Sequence, residues 1–181
     1  MMRILVYGAG AIGGYLGARL LHSGHEVVML DRLDMVDAIN QEGIIVDEAG
    51  EQIHVRPAAV GSLADAMRLG SRFDLILMGL KSYDLPAALM ELAAHDGVGE
   101  TFLTVQNGIG IEEPFVDQFG AKRVVAGSLT TPVSKRSPLH LVVERSDRGL
   151  GLAPTQAGAA IKPWIDMFQQ AGIDTAGMSN Y

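Results

Sequence analysis

The chain contains no cysteine among its 181 residues. This absence excludes a disulfide framework, a thiolate metal site and a cysteine nucleophile. Positive charge is also scarce, because 14 Lys and Arg residues stand against 21 Asp and Glu residues, which leaves a formal net charge of −7. Such a balance provides no basic surface for nucleic acid or for an anionic membrane, so we expect neither as a partner.

Histidines and long hydrophobic runs are sparse as well. The five histidines are scattered without the spacing of metal ligands, so we expect no metal site. The uncharged run from Ile4 to Ala18 is shorter than the about 20 residues of a membrane span. Five glycines interrupt this run, which is atypical of a signal peptide. The sequence therefore predicts a cytoplasmic protein.

Short apolar runs alternate with segments of helical periodicity along most of the chain. This alternation is typical of an α/β fold whose parallel sheet is covered by helices on both faces. The sequence therefore predicts a Rossmann-type, doubly wound, mostly parallel sheet. We predict strands at 3–7, 26–30, 73–80, 101–106 and 123–126, and helices at 11–22, 33–41, 62–69, 84–94, 111–119 and 161–171.

Two segments predict a small antiparallel extension of this sheet. Residues 44–46 and 52–55 flank the sequence Asp-Glu-Ala-Gly, which is typical of a β-hairpin. Residues 139–143 and 149–152 are predicted to form a second antiparallel pair around a turn at 146–148.

A glycine-rich loop carries the strongest functional signal. Residues 8–13 read Gly-Ala-Gly-Ala-Ile-Gly, a G-x-G-x-x-G motif between a predicted strand and a predicted helix. In this context Gly8 permits a tight turn, Gly10 lets the backbone approach a pyrophosphate, and Gly13 lets the helix pack closely on the strand. The helix N-terminus adds unpaired N–H groups that attract anions. The motif predicts a dinucleotide-binding site.

The residues after the second strand bear on the choice of cofactor. An acid there binds the ribose 2′-OH of NAD, whereas an arginine pairs with the 2′-phosphate of NADP. The chain offers both, as Asp31 followed by Arg32, and Asp31 lies 18 residues after Gly13. The spacing alone leaves both cofactors open.

Two more motifs follow predicted strands, namely Leu80-Lys81 and Gln106-Asn107-Gly108. Together with the glycine loop, the Gly-His-Glu-Val sequence at 24–27 and the Asp-Arg pair, they make nearly the whole chain resemble the N-terminal half of the ketopantoate reductase (2-dehydropantoate 2-reductase) family.

The resemblance implies a role for each matching residue. Arg32 would recognise the 2′-phosphate, which favours NADPH over NADH, although Asp31 departs from the small or apolar residue common beside it. Lys81 would lie near the cofactor, and Asn107 would contact the nicotinamide half and the substrate as the catalytic residue of this chain. The pyrophosphate would be held by Gly8, Gly10, Ala11, Ile12 and Gly13.

The resemblance also implies a reaction and a domain organisation. We expect residues 1–175 to form the cofactor-binding domain of an NADPH-dependent reductase of a 2-keto acid. The expected substrate is 2-dehydropantoate, reduced to pantoate on the route to pantothenate and coenzyme A. Residues 176–181 are expected to begin a linker to a helical domain that carries the general-acid lysine in this family. The chain alone is therefore expected to be nearly inactive.

Two alternatives remain open from the sequence. The first is a dinucleotide-sensing regulatory module without chemistry. The second is an opine-type dehydrogenase that uses NAD through Asp31. The sequence does not determine the oligomeric state, so a homodimer stays open.

Overall fold

A computed structural model describes residues 1–70, 72–95, 97–106, 108, 110–157 and 160–178. Its helices are α1 (Ala11–His22), α2 (Leu33–Glu42), α3 (Leu63–Arg68), α4 (Leu85–Ala94), α5 (Glu113–Phe119) and α6 (Lys162–Gln170). Its strands are β1 (Arg3–Tyr7), β2 (Glu26–Leu30), β3 (Ile44–Glu48), β4 (Glu51–Val55), β5 (Ala58–Val60), β6 (Phe73–Met78), β7 (Gly99–Thr104), β8 (Val124–Leu129), β9 (Val133–Ser137), β10 (His140–Val143), β11 (Leu150–Pro154) and β12 (Thr175–Gly177). Short 3₁₀ turns lie at Ser82–Asp84 and Ala121–Arg123.

The main sheet has the strand order β12-β11-β8-β7-β6-β1-β2-β5. All of these neighbours are parallel except β11 and β8. Apolar side chains form one core on each face, with α1, α2 and α6 on one side and α3, α4 and α5 on the other. The Rossmann-type α/β prediction is therefore confirmed. The strand order reverses beside β1, which is where ligands bind in such sheets.

A second sheet, with the order β4-β3-β10-β9, packs on the main body. The predicted hairpin is confirmed, because β3 and β4 pair antiparallel. The predicted pairing of 139–143 with 149–152 is wrong. Strand β10 pairs with β9 and β3, whereas β11 pairs with β8 in the main sheet. The two runs separate because Leu141 is buried in the second sheet, while Leu150 and Leu152 extend the main one.

Helix α1 lies between the two sheets, and glycines allow the close approach on both sides. A Cβ atom on Gly17 would lie 2.4 Å from Met29 Cε of the main sheet. A Cβ atom on Gly14 would lie 3.0 Å from Leu141 Cδ1 of the second sheet. The lack of a side chain thus lets α1 pack closely on the main sheet at Gly17 and lets the second sheet reach the first turn of α1 at Gly14.

A buried polar contact joins α1 to β3. The Tyr15 hydroxyl donates to Glu48 Oε1 over 3.0 Å, and Arg19 Nη1 lies 3.4 Å from Glu48 Oε2. Burial, and then the charge of Glu48, raise the pKa of Tyr15 above its usual value. The hydroxyl therefore stays protonated and donates to Glu48 over the whole neutral range.

The main sheet continues to Gly177, since β12 pairs with β11 over residues 175–177. Residues 176–181 were predicted to begin a linker. The first two of them, Ala176 and Gly177, belong to the sheet instead. None of the helices in the described residues is long and apolar enough to cross a membrane.

We predict that Leu141→Ala lowers the free energy of unfolding by about 2–5 kcal/mol, because it opens a cavity where the second sheet meets α1. Urea unfolding followed by circular dichroism measures this loss. Met90→Ala is the control, since Met90 is 75% exposed and its loss should change the value by at most about 0.5 kcal/mol. Equal values for the two variants would contradict the packing role of Leu141.

Candidate functional site

The glycine loop joins β1 to α1 at the carboxyl edge of the main sheet. Gly8 has a φ of +100°, a conformation that side chains disfavour. A Cβ atom on Gly13 would lie 2.0 Å from the Gly8 carbonyl oxygen, and one on Gly79 would lie 2.4 Å from the same oxygen. These three glycines therefore bring the ends of β1 and β6 and the start of α1 into backbone contact, which no larger residue would permit.

Gly10 differs from these three because its open side faces no protein atom closely. A Cβ atom there would find its nearest neighbour, the Gly79 carbonyl oxygen, at 3.8 Å. Gly10 is also the N-cap of α1, and no side chain caps this helix end. The first N–H groups of the helix, including those of Ala11 and Ile12, have no acceptor within the helix. This open space at the N-terminus of α1 fits an anionic group such as a pyrophosphate.

Asp31 fastens the glycine loop to the end of β2. The Ala9 N–H donates to Asp31 Oδ2 over 2.6 Å, and the Arg32 N–H donates to Asp31 Oδ1 over 2.7 Å. The Arg32 side chain is 79% exposed and its Nη2 lies 3.6 Å from Asp34 Oδ2. An exposed pair of this kind is weak, so the guanidinium stays available to another anion.

Gln106 holds together two loops at the carboxyl edge, a role that the sequence analysis did not assign to it. Its Nε2 donates to the carbonyl oxygens of Met78 and Leu80, the latter over 2.9 Å. Its Oε1 accepts from the Val105 N–H over 3.2 Å. Gln106 thereby fixes the segment that carries Lys81. A polar side chain directly after a buried strand was the available signal.

These elements surround a groove with two adjoining compartments. The Gln106 compartment, of about 210 Å³, is lined by Gly10, Ala11, Ile12, Gly79, Leu80, Lys81, Ser82 and Gln106. The Arg32 compartment, of about 440 Å³, is lined by Gly8, Ala9, Gly10, Asp31, Arg32, Met35, Gly79, Leu80, Lys81, Tyr83, Asp84 and Lys135. The two share Gly10, Gly79, Leu80 and Lys81, so they adjoin at the glycine loop.

The structure brings most of the predicted site residues together in this groove. Gly13 does not line the groove but packs against the Gly8 carbonyl. Asn107 lies outside the described residues. The lining residues foreseen from the sequence are Gly8, Gly10, Ala11, Ile12, Asp31, Arg32 and Lys81. Lys135 was missed, because it comes from β9 of the second sheet and no local motif marks it.

Comparison with known proteins places this groove in a family context. A family model described as "Ketopantoate reductase PanE/ApbA" matches residues 4–150. A curated 2-dehydropantoate 2-reductase of Pyrococcus horikoshii is 32% identical over 99% of this chain and 57% of its own length. The chain thus spans a little over half the length of this relative.

Solved structures agree with this fold. The crystal structure of 2-dehydropantoate 2-reductase from Methylococcus capsulatus superposes with a TM-score of 0.84 at 28% identity, over 99% of this chain and 57% of its own. D-Mandelate dehydrogenase, solved with NADH and anilino(oxo)acetate, superposes with a TM-score of 0.82 at 23% identity, over 98% of this chain and 57% of its own. The second likeness bears on the fold alone.

We predict that two glycines of the loop differ in how much they matter for stability. Gly13→Ala forces a methyl group onto the Gly8 carbonyl and should lower the free energy of unfolding by more than about 2 kcal/mol. Gly10→Ala meets no close protein atom and has a φ of −66°, so it should leave stability within about 0.5 kcal/mol. Thermal and urea unfolding of both variants check this. A destabilised Gly10→Ala would show that its open side is needed for folding.

Proposed function

Because the chain belongs to the ketopantoate reductase family, we propose that it binds NADPH in this groove for the reduction of a 2-keto acid. The observation that carries the proposal is a pair of adjoining compartments with the open glycine loop between them and Arg32 in the lining of one. A dinucleotide needs both features, since it has a pyrophosphate in the middle and a ribose near the end of the second strand.

The pyrophosphate is proposed to lie over Gly10, where the backbone leaves open space. The first residues of α1, Ala11 and Ile12, line that space, and the uncapped helix N-terminus favours negative charge there. These contacts come from the backbone and do not depend on the ribose. They support binding of NADPH and NADH alike.

The choice of NADPH rests on the end of β2. A guanidinium can bind a phosphate through two parallel hydrogen bonds. Among the described residues, the guanidinium of Arg32 has only the weak surface pair with Asp34. Each oxygen of Asp31 already accepts a backbone N–H. The carboxylate therefore contributes to the loop, and Arg32 is left as the side chain for the 2′-phosphate.

The reducing chemistry would come from NADPH, which supplies a hydride to the ketone carbon when bound. Lys81 lines both compartments, so we propose that its charge neutralises the anionic groups of cofactor and substrate. Asn107, from its place in the Gln-Asn-Gly sequence, is proposed to contact the nicotinamide half and the substrate carbonyl.

Among 2-keto acids we propose 2-dehydropantoate, the substrate in the name of the Pyrococcus horikoshii relative. Pantoate would be its product, on the route to pantothenate.

We predict that calorimetric titration finds tighter binding of NADPH than of NADH, and that Arg32→Ala removes the difference. Loss of a charge-assisted contact of about 1.5–3 kcal/mol corresponds to about a 10- to 100-fold weaker NADPH complex. NADH binding should change less than about twofold, because NADH has no 2′-phosphate.

Arg68→Ala provides a matched control for this variant. Arg68 is 77% exposed and pairs with a nearby aspartate, as Arg32 does, but it lies on α3 outside the groove. It should leave both affinities unchanged. Equal losses of NADPH and NADH in Arg32→Ala would contradict the proposed 2′-phosphate contact, and tight NADH binding by the native chain would favour the NAD alternative.

We further predict that Gly10→Ala weakens NADPH and NADH by similar factors, of about tenfold or more, because a methyl group occupies the space proposed for the pyrophosphate. The same titration measures this effect on a variant that should remain stably folded. Unchanged affinity for both would place the pyrophosphate elsewhere.

A further inference from the structure

Lys135 lies on a mostly apolar face of the second sheet, which also carries Glu48. On the edge strand β9 it lies directly opposite Leu141 of β10, so both side chains are on the same face. That face packs against α1 and includes the buried Leu141 and Val143. The next residue, Arg136, is on the other face, where its Nη1 lies 3.0 Å from Asp47 Oδ2.

The packing of Leu141 shows where this face meets α1. Its Cδ1 would touch a Cβ atom on Gly14, in the first turn of the helix, at 3.0 Å. Lys135 therefore lies near the N-terminal end of α1, and its side chain lines the Arg32 compartment. It does not line the Gln106 compartment, whereas Lys81 lines both.

The compartment that Lys135 lines has three cationic side chains and two acidic ones. Arg32, Lys81 and the positive end of the α1 dipole share its compartment. Of the two acids in that lining, Asp31 already accepts two backbone N–H groups. Within the described part of the chain, the Lys135 side chain makes no hydrogen bond or ion pair. The excess of positive charge in this lining favours an anionic ligand.

We propose that Lys135 and Arg32 form a two-cation clamp for the 2′-phosphate of NADPH, with one cation from each sheet. This inference rests on the proposed function and adds a residue that determines specificity. A phosphate monoester carries close to two negative charges at neutral pH, so it accommodates a second cation beside the guanidinium. The alternative is a structural role, in which Lys135 only protects an exposed edge strand from pairing with another chain.

The test compares Lys135→Met with Arg136→Met by calorimetric titration. Both variants remove one positive charge from β9, but only the first removes it from the groove. The probes are NADPH, NADH, adenosine 2′,5′-bisphosphate and adenosine 5′-monophosphate at fixed salt. We expect Lys135→Met to weaken NADPH and the bisphosphate about tenfold, and NADH and the monophosphate less than twofold. Arg136→Met should weaken none of them, and Lys135→Arg should keep the selectivity.

Each other outcome overturns the clamp. Equal weakening of all four probes would mean that Lys135 acts on phosphates common to them. No weakening of any probe would leave Lys135 as an edge-strand residue. Binding by the native chain separates these results from failure of the proposed function, because a native chain that binds no dinucleotide contradicts the proposed function itself.

Discussion

The groove depends on a backbone contact among three glycines. Gly13 and Gly79 both approach the Gly8 carbonyl so closely that any Cβ atom would lie within 2.4 Å of its oxygen. This contact sets the distance between β1, β6 and the start of α1, and hence where the N–H groups of the helix point. Asp31 and Gln106 then hold the neighbouring loops by hydrogen bonds to backbone groups. The site is therefore built mainly from main-chain geometry, which makes it rigid before any ligand arrives.

The second sheet packs on α1 and contributes a residue to the lining of the groove. Helix α1 packs on the main sheet through Gly17 and meets the second sheet through Gly14, so neither face of the helix is left to solvent. The buried contact of Tyr15 with Glu48 adds a directional link between the helix and β3. As a consequence, an edge strand from a different part of the chain brings Lys135 to the rim of a groove whose floor is formed by β1, β6 and α1.

Local signals in the sequence predicted the parts of this structure that local interactions determine. The bounds of β1, α1 and β2 agree with the prediction, because a buried strand, a glycine turn and an amphipathic helix each have their own periodicity. The strand at Ala58–Val60 and the partners of β10 and β11 were not foreseen, since strand pairing depends on contacts distant in sequence. Lys135 escaped notice for the same reason. Gln106 was quoted in a motif, but its two carbonyl partners exist only once β6 and β7 lie side by side.

A chain of net charge −7 can still bind a polyanion, because the relevant charges act at contact distance and distant ones are screened beyond about 8–10 Å. The groove divides this task between two kinds of group. In the proposed binding mode, backbone N–H groups at the start of α1 serve the part that all dinucleotides share, and the exposed side chains of Arg32 and Lys135 serve the part that differs. Because Arg32 and Lys135 support little of the packed core, the proposed roles imply that substitution at the rim changes the preference between the two nicotinamide cofactors. The contact among Gly8, Gly13 and Gly79, and with it the fold, would stay the same.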